Sequence, residues 1–255
     1  MARIIAFVNQ KGGVAKTTSA VNVGAGLSIR DKRVLLIDLD PQGNLTTSLG
    51  IAAHELDNTI YEVLKGNCTI TEATVSVNHS YHVVPSDIRL SGAEIELSSQ
   101  AGREMILKEA LKPIVERYDY ILIDCPPSLS LLTLNALTAA KEIFIPLQTE
   151  YLALHGMGQL IKTKETVKNR LNPDLEITGI IGTLYDRRKS LNRDVIKKIK
   201  GYFPNQTFKT HIRNNVAIAE AQGFGLDIFQ YKPKSNGAKD YESLVDEVIK
   251  QEKES

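Results

Sequence analysis

Tryptophan is absent from the 255-residue chain, and cysteine occurs only twice. Cys68 and Cys125 cannot build the disulfide framework of a small secreted domain or a four-cysteine metal site, so a reducing, cytosolic compartment is expected. Neither charge sign is in excess: 31 Lys and Arg against 30 Asp and Glu leave a net charge of +1, and any contact with DNA must come from a local patch. No apolar run approaches about 18 residues, and the chain opens on strand-like residues rather than a signal segment, so neither a membrane span nor a secretory leader is expected. What the sequence has is 42% hydrophobic content, enough for a large core, in segments that alternate between strand-like and helix-like patterns. The expected fold is α/β: a single domain over residues 1–255, with a doubly wound, mostly parallel sheet and helices on both faces.

The most informative stretch is Asn9-Gln10-Lys11-Gly12-Gly13-Val14-Ala15-Lys16-Thr17-Thr18. It follows the apolar run Arg3 to Val8, which suits a buried strand, and precedes Ser19 to Ile29, which reads as a helix. A strand, a glycine-bearing loop and a helix start form a phosphate cradle. Loop N–H groups and the helix N-terminus converge on anionic oxygens, Lys16 neutralises the terminal phosphates, and the Thr17 hydroxyl can ligate Mg²⁺. One position departs from the pattern, because Ala15 stands where such loops usually carry glycine, and its backbone is expected to be strained there.

Two further strands end in acids. Arg33-Val34-Leu35-Leu36-Ile37-Asp38-Leu39-Asp40 runs into the turn Pro41-Gln42-Gly43-Asn44, and Tyr118 to Asp124 runs into Cys125-Pro126-Pro127-Ser128. In doubly wound sheets ligands sit at the carboxyl ends of strands, so Asp38, Asp40 and Asp124 are placed at the edge that carries the phosphate loop. Asp124 fits a Walker B acid that reaches, through water, the magnesium held by Thr17; Asp40 is the better placed of the first pair to orient the attacking water.

Further along, Thr59 to Lys65 reads as a short helix stopped by Gly66, Tyr81 to Pro85 as a strand, and Glu94 to Gln100 and Arg103 to Arg117 as helices, the last kinked or restarted at Pro113. Ser130 to Ala140 is a helix, Glu142 to Leu147 a strand, Gly156 to Leu171 a long helix and Ile177 to Leu184 a strand. Seven cations then fall within fourteen residues: Arg187, Arg188, Lys189, Arg193, Lys197, Lys198 and Lys200, opposed by Asp186 and Asp194. Such a patch can grip DNA phosphates without reading sequence, although a solvated helix face is the ordinary alternative. Asn214 to Ala221 starts a helix, and Ala238 to Gln251 is amphipathic, with Tyr241, Leu244, Val245, Val248 and Ile249 on one stripe and mostly acids opposite. That stripe reads as a docked helix rather than a basic membrane anchor.

Taken together, Lys11 to Thr18, Val34 to Asn44, and Ile123 to Ser128 with Leu132 to Leu137 resemble the ParA/MinD family of deviant Walker A ATPases, closest to the short chromosomal Soj-type ParA proteins. Matches at Pro146 to Gly156, Tyr185 to Leu191, Asn215 to Ala221 and Pro233 to Leu244 extend the resemblance over nearly the whole chain. The resemblance implies a slow ATPase, with ATP and Mg²⁺ bound by Lys11, Gly12, Gly13, Val14, Ala15, Lys16, Thr17 and Thr18. In it Lys11 reaches across an ATP-sandwich homodimer to the partner's phosphates, Lys16 holds the β and γ phosphates, Thr18 the α phosphate, and Asp40 the hydrolytic water. Thr17, Asp40 and Asp124 serve the metal, and Arg213 and Asn215 fall at the adenine positions, Arg213 where relatives have proline. It also implies nonspecific double-stranded DNA binding through Arg187, Arg188, Lys189, Arg193 and Lys197, and a second basic position of close relatives appears here as Ala217. A ParB-type centromere-binding partner would stimulate hydrolysis and release, giving a cytoplasmic protein that is nucleoid-associated when ATP-bound. No separate N-terminal operator-binding domain is expected. Rival readings are a MinD-like membrane-associated division-site ATPase, an ATP-dependent clamp whose hydrolysis Ala15 impairs, and an iron-protein-like electron carrier, which two cysteines in these positions do not suit.

Overall fold

The structure is a computed structural model, described over residues 2–150 and 153–252. Residues 151 and 152, inside the stretch 146–156 that resembles the family, and the last three residues of the tail lie outside the described residues. Eight strands form one sheet: β1 Arg3–Phe7, β2 Val34–Asp38, β3 Val75–Ser76, β4 Tyr81–Val84, β5 Tyr120–Asp124, β6 Glu142–Gln148, β7 Glu176–Tyr185 and β8 Thr207–Arg213. Their order is β3-β4-β2-β5-β1-β6-β7-β8, and every pairing is parallel except β3 with β4.

The helices are α1 Lys16–Ile29, α2 Asn44–Ser48, α3 Ile60–Lys65, α4 Leu90–Leu97, α5 Ile106–Leu111, α6 Leu131–Ala139, α7 Ala153–Arg170, α8 Ser190–Tyr202, α9 Val216–Gly223, α10 Ile228–Tyr231 and α11 Asn236–Gln251. Strand alternation divides the core between two faces. Ile5, Phe7, Val34, Leu36, Tyr120 and Leu122 pack with α1, α9, α10 and α11, whereas Ile4, Ala6, Leu35, Ile37, Ile121 and Ile123 pack with α3 to α8. Both sides of each central strand are therefore buried, which is why these strands read as continuous apolar runs.

Helix α1 has no polar face because it has almost no solvent face: residues 19–28 are all buried. Its glycines make this possible, since a Cβ on Gly26 would lie 2.7 Å from Val245 Cγ2 of α11. The α11 stripe of Tyr241, Leu244, Val245 and Val248 is buried as expected, and two acids of its polar side, Glu242 and Asp246, pair with Arg30 of α1. The short helix α3 starts at a capping box, with Thr59 and Glu62 exchanging hydrogen bonds, and ends at Gly66.

Two local expectations differ from what is found. Arg103 to Arg117 is one α-helical piece, α5, flanked by 3-10 turns rather than a single helix. Pro113 lacks an N–H and its ring conflicts with the carbonyl of Glu109, so the helix stops before it. Strand β8 is the element the pattern does not announce: Lys209, Thr210 and His211 lie between Phe208 and Ile212, which are its buried apolar residues.

At one point two loop backbones touch. Gly225, at φ +67°, lies so close to Gly50 that an added Cβ would come 2.8 Å from Gly50 Cα and 3.0 Å from its nitrogen. Gly225→Ala combines left-handed strain with a backbone clash, so it should destabilise the protein by about 1–3 kcal/mol. Urea unfolding tests this, and an unchanged midpoint would show that the two loops part freely.

Candidate functional site

The parallel register brings the site together. Phe7 pairs with Asp124, and Asp124 with Asp38, so the segments that leave β1, β5 and β2 emerge side by side. The loop after β1 then turns into α1 through two left-handed residues, Gly13 at φ +71° and Ala15 at φ +63°. Ala15 thus adopts the glycine-type backbone that its position demands, at a cost of about 1–2 kcal/mol for an L-residue. Alternation of this kind turns successive N–H groups inward, which makes a concavity for anions.

A cleft of about 650 Å³ opens over this loop. Gly12, Gly13, Ala15, Lys16, Thr17, Thr18 and Asp40 line it on one side, and Arg213 and Asn215 on the other. The residues expected at phosphate, water and adenine positions therefore share one cavity, although they span the chain from residue 12 to residue 215. Val14 does not line it; this side chain is buried, and its carbonyl accepts a hydrogen bond from Thr183 Oγ1 at 3.0 Å. Lys11 is also outside the cleft. Its Nζ donates to Gln148 Oε1 at 2.9 Å and pairs with Glu150 Oε2 at 3.2 Å on the end of β6 and beyond.

The acids differ in environment. Asp38 is fully buried and accepts hydrogen bonds from Thr46 N at 2.9 Å, Thr46 Oγ1 at 2.7 Å and Asp40 N at 3.2 Å. Burial nonetheless pushes its carboxyl up to about 6. Asp38 is thus a structural anchor for the β2 turn, and it does not line the cleft. Asp40 does line it and accepts from Gln42 N at 2.9 Å. Asp124 is fully buried, accepts from the Thr17 hydroxyl at 2.6 Å through Oδ2, and has no hydrogen-bond partner at Oδ1. Burial, then the neighbouring Asp38, raises its carboxyl well above the ordinary range, and the nearby Lys16 only partly opposes this.

That orphaned oxygen is the test of a metal at this point. A buried carboxyl with one unsatisfied oxygen is charged at this depth only when a cation answers it, so the position suits a bound metal. The Thr17 hydroxyl, donating to Asp124, keeps its lone pairs for a ligand. Among the described residues no cluster of three or more His, Cys, Asp or Glu forms a metal cage. A hydroxyl with one carboxylate behind it, completed by phosphate oxygens and water, suits Mg²⁺, which is held by few protein ligands. The donor set fits the ion.

The adenine side carries one departure from expectation and two additions. The Arg213 guanidinium is held by Asp240, with Nη2 to Oδ1 at 2.6 Å and Nε to Oδ2 at 2.9 Å, so its charge is already paired. The Asn215 side chain caps α9 by accepting from Ala217 N at 2.9 Å. The sequence reading lacks Gln222, whose Nε2 donates to Thr18 Oγ1 at 2.9 Å, and Leu184, which lines the cleft with a left-handed backbone at φ +51°. Neither carries a motif, because both arrive through the packing of β7, β8 and α9.

The basic patch lies outside the cleft but beside it, on the loop after β7 and on α8. Arg187, Arg188, Lys189, Arg193 and Lys197 are all exposed. On α8 the spacing of Arg193, Lys197 and Lys200 sets three cations on one helical stripe, opposite the buried Val195 and Ile199. Arg188 is partly neutralised by Asp186, which accepts from its Nε and Nη2 at 3.0 and 2.9 Å. Ala217, where the resemblance has a second basic position, is buried; the exposed residue beside it is Val216, 72% accessible.

Among the described residues no helix is long and apolar enough to cross a membrane. A family model described as an AAA domain matches residues 2–177. The chain is 46% identical over 251 residues to the chromosome partitioning protein ParA of Myxococcus xanthus, covering 98% of this chain and 89% of that one. It is also 46% identical over 249 residues to the sporulation initiation inhibitor protein Soj of Bacillus subtilis, covering 97% and 98%. Among solved structures, the cobyrinic acid a,c-diamide synthase of Mycobacterium smegmatis with bound ATP analog and magnesium superposes with a TM-score of 0.88 at 40% identity, over 99% and 96% of the two chains. With the phosphate loop, the strand-end acids and relatives of this identity over nearly its full length, the chain belongs to the ParA/MinD family of P-loop ATPases, on its Soj-type ParA branch.

Proposed function

We propose that this protein is a DNA-partitioning ATPase that hydrolyses ATP to ADP and phosphate, slowly on its own, and uses the nucleotide to time its residence on DNA. The observation that carries the reading is the buried Asp124, which does not itself line the cleft but is bonded by one oxygen to Thr17, which does, and is unsatisfied at the other. Lys16 and the loop amides bind the phosphates, and Thr18, held by Gln222, faces the α phosphate. Thr17 and Asp124, with Asp40 nearby, would hold Mg²⁺, which would supply charge neutralisation at the phosphates.

Asp40 orients the attacking water. No strong general base stands in the cleft, so acceleration rests on positioning and on charge neutralisation, and a slow turnover follows. Asn215 and the stretch around Arg213 flank the base; with the guanidinium tied to Asp240, Arg213 contributes wall rather than charge. Lys11, outside its own cleft and held by exposed contacts to Gln148 and Glu150, can exchange them for a second copy's phosphates. Two such loops repel each other unless triphosphates lie between them, so ATP favours a homodimer.

The dimer then presents the basic patches together, and they bind duplex DNA through phosphates without reading sequence. A ParB-type centromere-binding protein stimulates hydrolysis and returns monomers to the cytoplasm. The membrane-associated alternative is disfavoured by α11, whose apolar stripe is already buried against the sheet and α1.

Binding to nonspecific duplex DNA with ATP, ADP or no nucleotide, at two salt concentrations and with dimerisation followed in parallel, tests the proposal. ATP-dependent, salt-sensitive binding that tracks the dimer is expected; dimerisation without DNA binding would overturn the partitioning reading. Replacing Arg188 and Lys189 with alanine should weaken binding and lower the slope of log affinity against log salt by about one per lost phosphate contact, measured by titration. Ala15→Gly relieves left-handed strain but loosens the unfolded chain, so a net stabilisation of up to about 1 kcal/mol is expected with ATP binding retained. Thermal unfolding with and without ATP reads both, and a marked loss of ATP binding would show that the Ala15 methyl shapes the cleft.

A further inference from the structure

The phosphate loop and the basic loop are joined by a run of hydrogen bonds beneath the surface. At one end Lys11 Nζ donates to Gln148 Oε1 and pairs with Glu150, while Gln148 Nε2 donates to Glu150 Oε1 at 2.8 Å. Thr149, between these two residues, is fully buried, and its carbonyl accepts a hydrogen bond from Asn192 Nδ2. Asn192 is itself 4% exposed, and its Oδ1 accepts from the backbone N–H of Asp186 at 2.8 Å. At the other end the Asp186 carboxylate holds Arg188 by its N, Nε and Nη2. A second tie runs alongside: Thr183 Oγ1 donates to Val14 O, and Thr149 N donates to Thr183 O at 3.3 Å.

The two ends of this run differ in strength. The Lys11 contacts are exposed, so a bound triphosphate can withdraw the lysine at small cost. The Asn192 contact to Thr149 is buried and the one to Asp186 partly so, and breaking the buried one leaves an unsatisfied polar group, so a shift at Thr149 is passed on rather than absorbed. The strand that leads into the receiving loop carries Leu184 one residue before its end, a non-glycine residue with a left-handed backbone that also lines the cleft. Strain of this kind marks a place where the chain has a second conformation within reach.

We propose that Asn192 is a positioning residue that couples the nucleotide state of the cleft, sensed by Lys11, to the loop that holds Arg188. Without triphosphate, Lys11 pins Gln148 and Glu150, Asn192 pins Asp186, and Asp186 masks Arg188. When Lys11 leaves, the strand end relaxes and the loop releases Arg188 toward phosphate. The inference rests on the partitioning reading above.

The experiment measures retention on nonspecific duplex DNA with ATP and with ADP for the wild type, Asn192→Leu and Asn192→Asp, alongside ATP-induced dimerisation. The wild type should favour ATP by about tenfold or more, the usual size of such coupling. Asn192→Asp keeps the acceptor for Asp186 N–H but loses the donor to Thr149, so both variants should show a ratio within about twofold of unity while still dimerising with ATP. A ratio in Asn192→Asp equal to that of the wild type would overturn the coupling alone, since Asn192 would then only place the loop. A wild type indifferent to nucleotide would overturn the partitioning reading as well. If the Asn192 variants do not fold, Glu150→Gln reads the same link from its exposed end: DNA retention with ADP should rise severalfold, and unchanged retention would sink the proposal.

Discussion

Parallel pairing of β2, β5 and β1 is the constraint on which the rest depends. It sets Asp38, Asp124 and Phe7 in one row, so that two carboxylates are buried close to each other at the strand ends. Such a pair is costly unless something answers its charge. Asp38 is answered internally, by the Asp40 N–H of the turn that follows β2 and by two donors from Thr46 of α2. Asp124 is answered only in part, by the Thr17 hydroxyl, and its second oxygen has no hydrogen-bond partner, which is the opening the proposed metal site uses. The two acids look alike at the ends of similar strands, but hydrogen bonding makes one structural and leaves the other for chemistry.

The phosphate loop shows the same division of cost. Ala15 sits in a backbone region where a Cβ is unfavourable, yet the loop cannot relax, because α1 begins at the next residue and is locked by burial along its length. Val14 is fastened to Thr183, and Thr18 to Gln222. Strain held by packing of this kind is a sign of a preorganised site, since the concavity exists before an anion enters it. The strain at Leu184, across the cleft, fits the same account.

Much of this was legible in the sequence. The loop, the strand-end acids and the central strands carry dense local signals, because a buried parallel strand must be apolar throughout and a phosphate loop must place glycine and lysine at fixed offsets. Arg213 and Asn215 were reached only through the family resemblance, and the structure brings them to the cleft while tying the guanidinium to Asp240. Gln222, Leu184 and Asn192 were not legible at all. Their roles depend on which strands neighbour which, and β8 itself, with polar residues between two buried apolar ones, gives little pattern to read. The burial of Ala217 is a further case, since a single-residue shift along α9 exchanges a core position for the exposed Val216.

Charge on this molecule has to be understood locally. A net charge of +1 says nothing about a surface on which cations are gathered along one loop and one helical stripe, because charges beyond about 10 Å are largely screened at 0.1 M salt. Within that range the patch contains its own opposition: Asp186 holds Arg188 and is itself held low, to about 2, by that guanidinium's hydrogen bonds, so it stays ionised at any physiological pH. The mask therefore cannot be lifted by protonation. It can be lifted only by moving the loop or by offering the exposed Arg188 a better partner than the half-buried Asp186 carboxylate, as a DNA phosphate would be. On the proposed reading a modest change in loop position is then enough to decide the competition, so control of DNA contact would lie in the strand ends around the cleft rather than in the total charge of the chain.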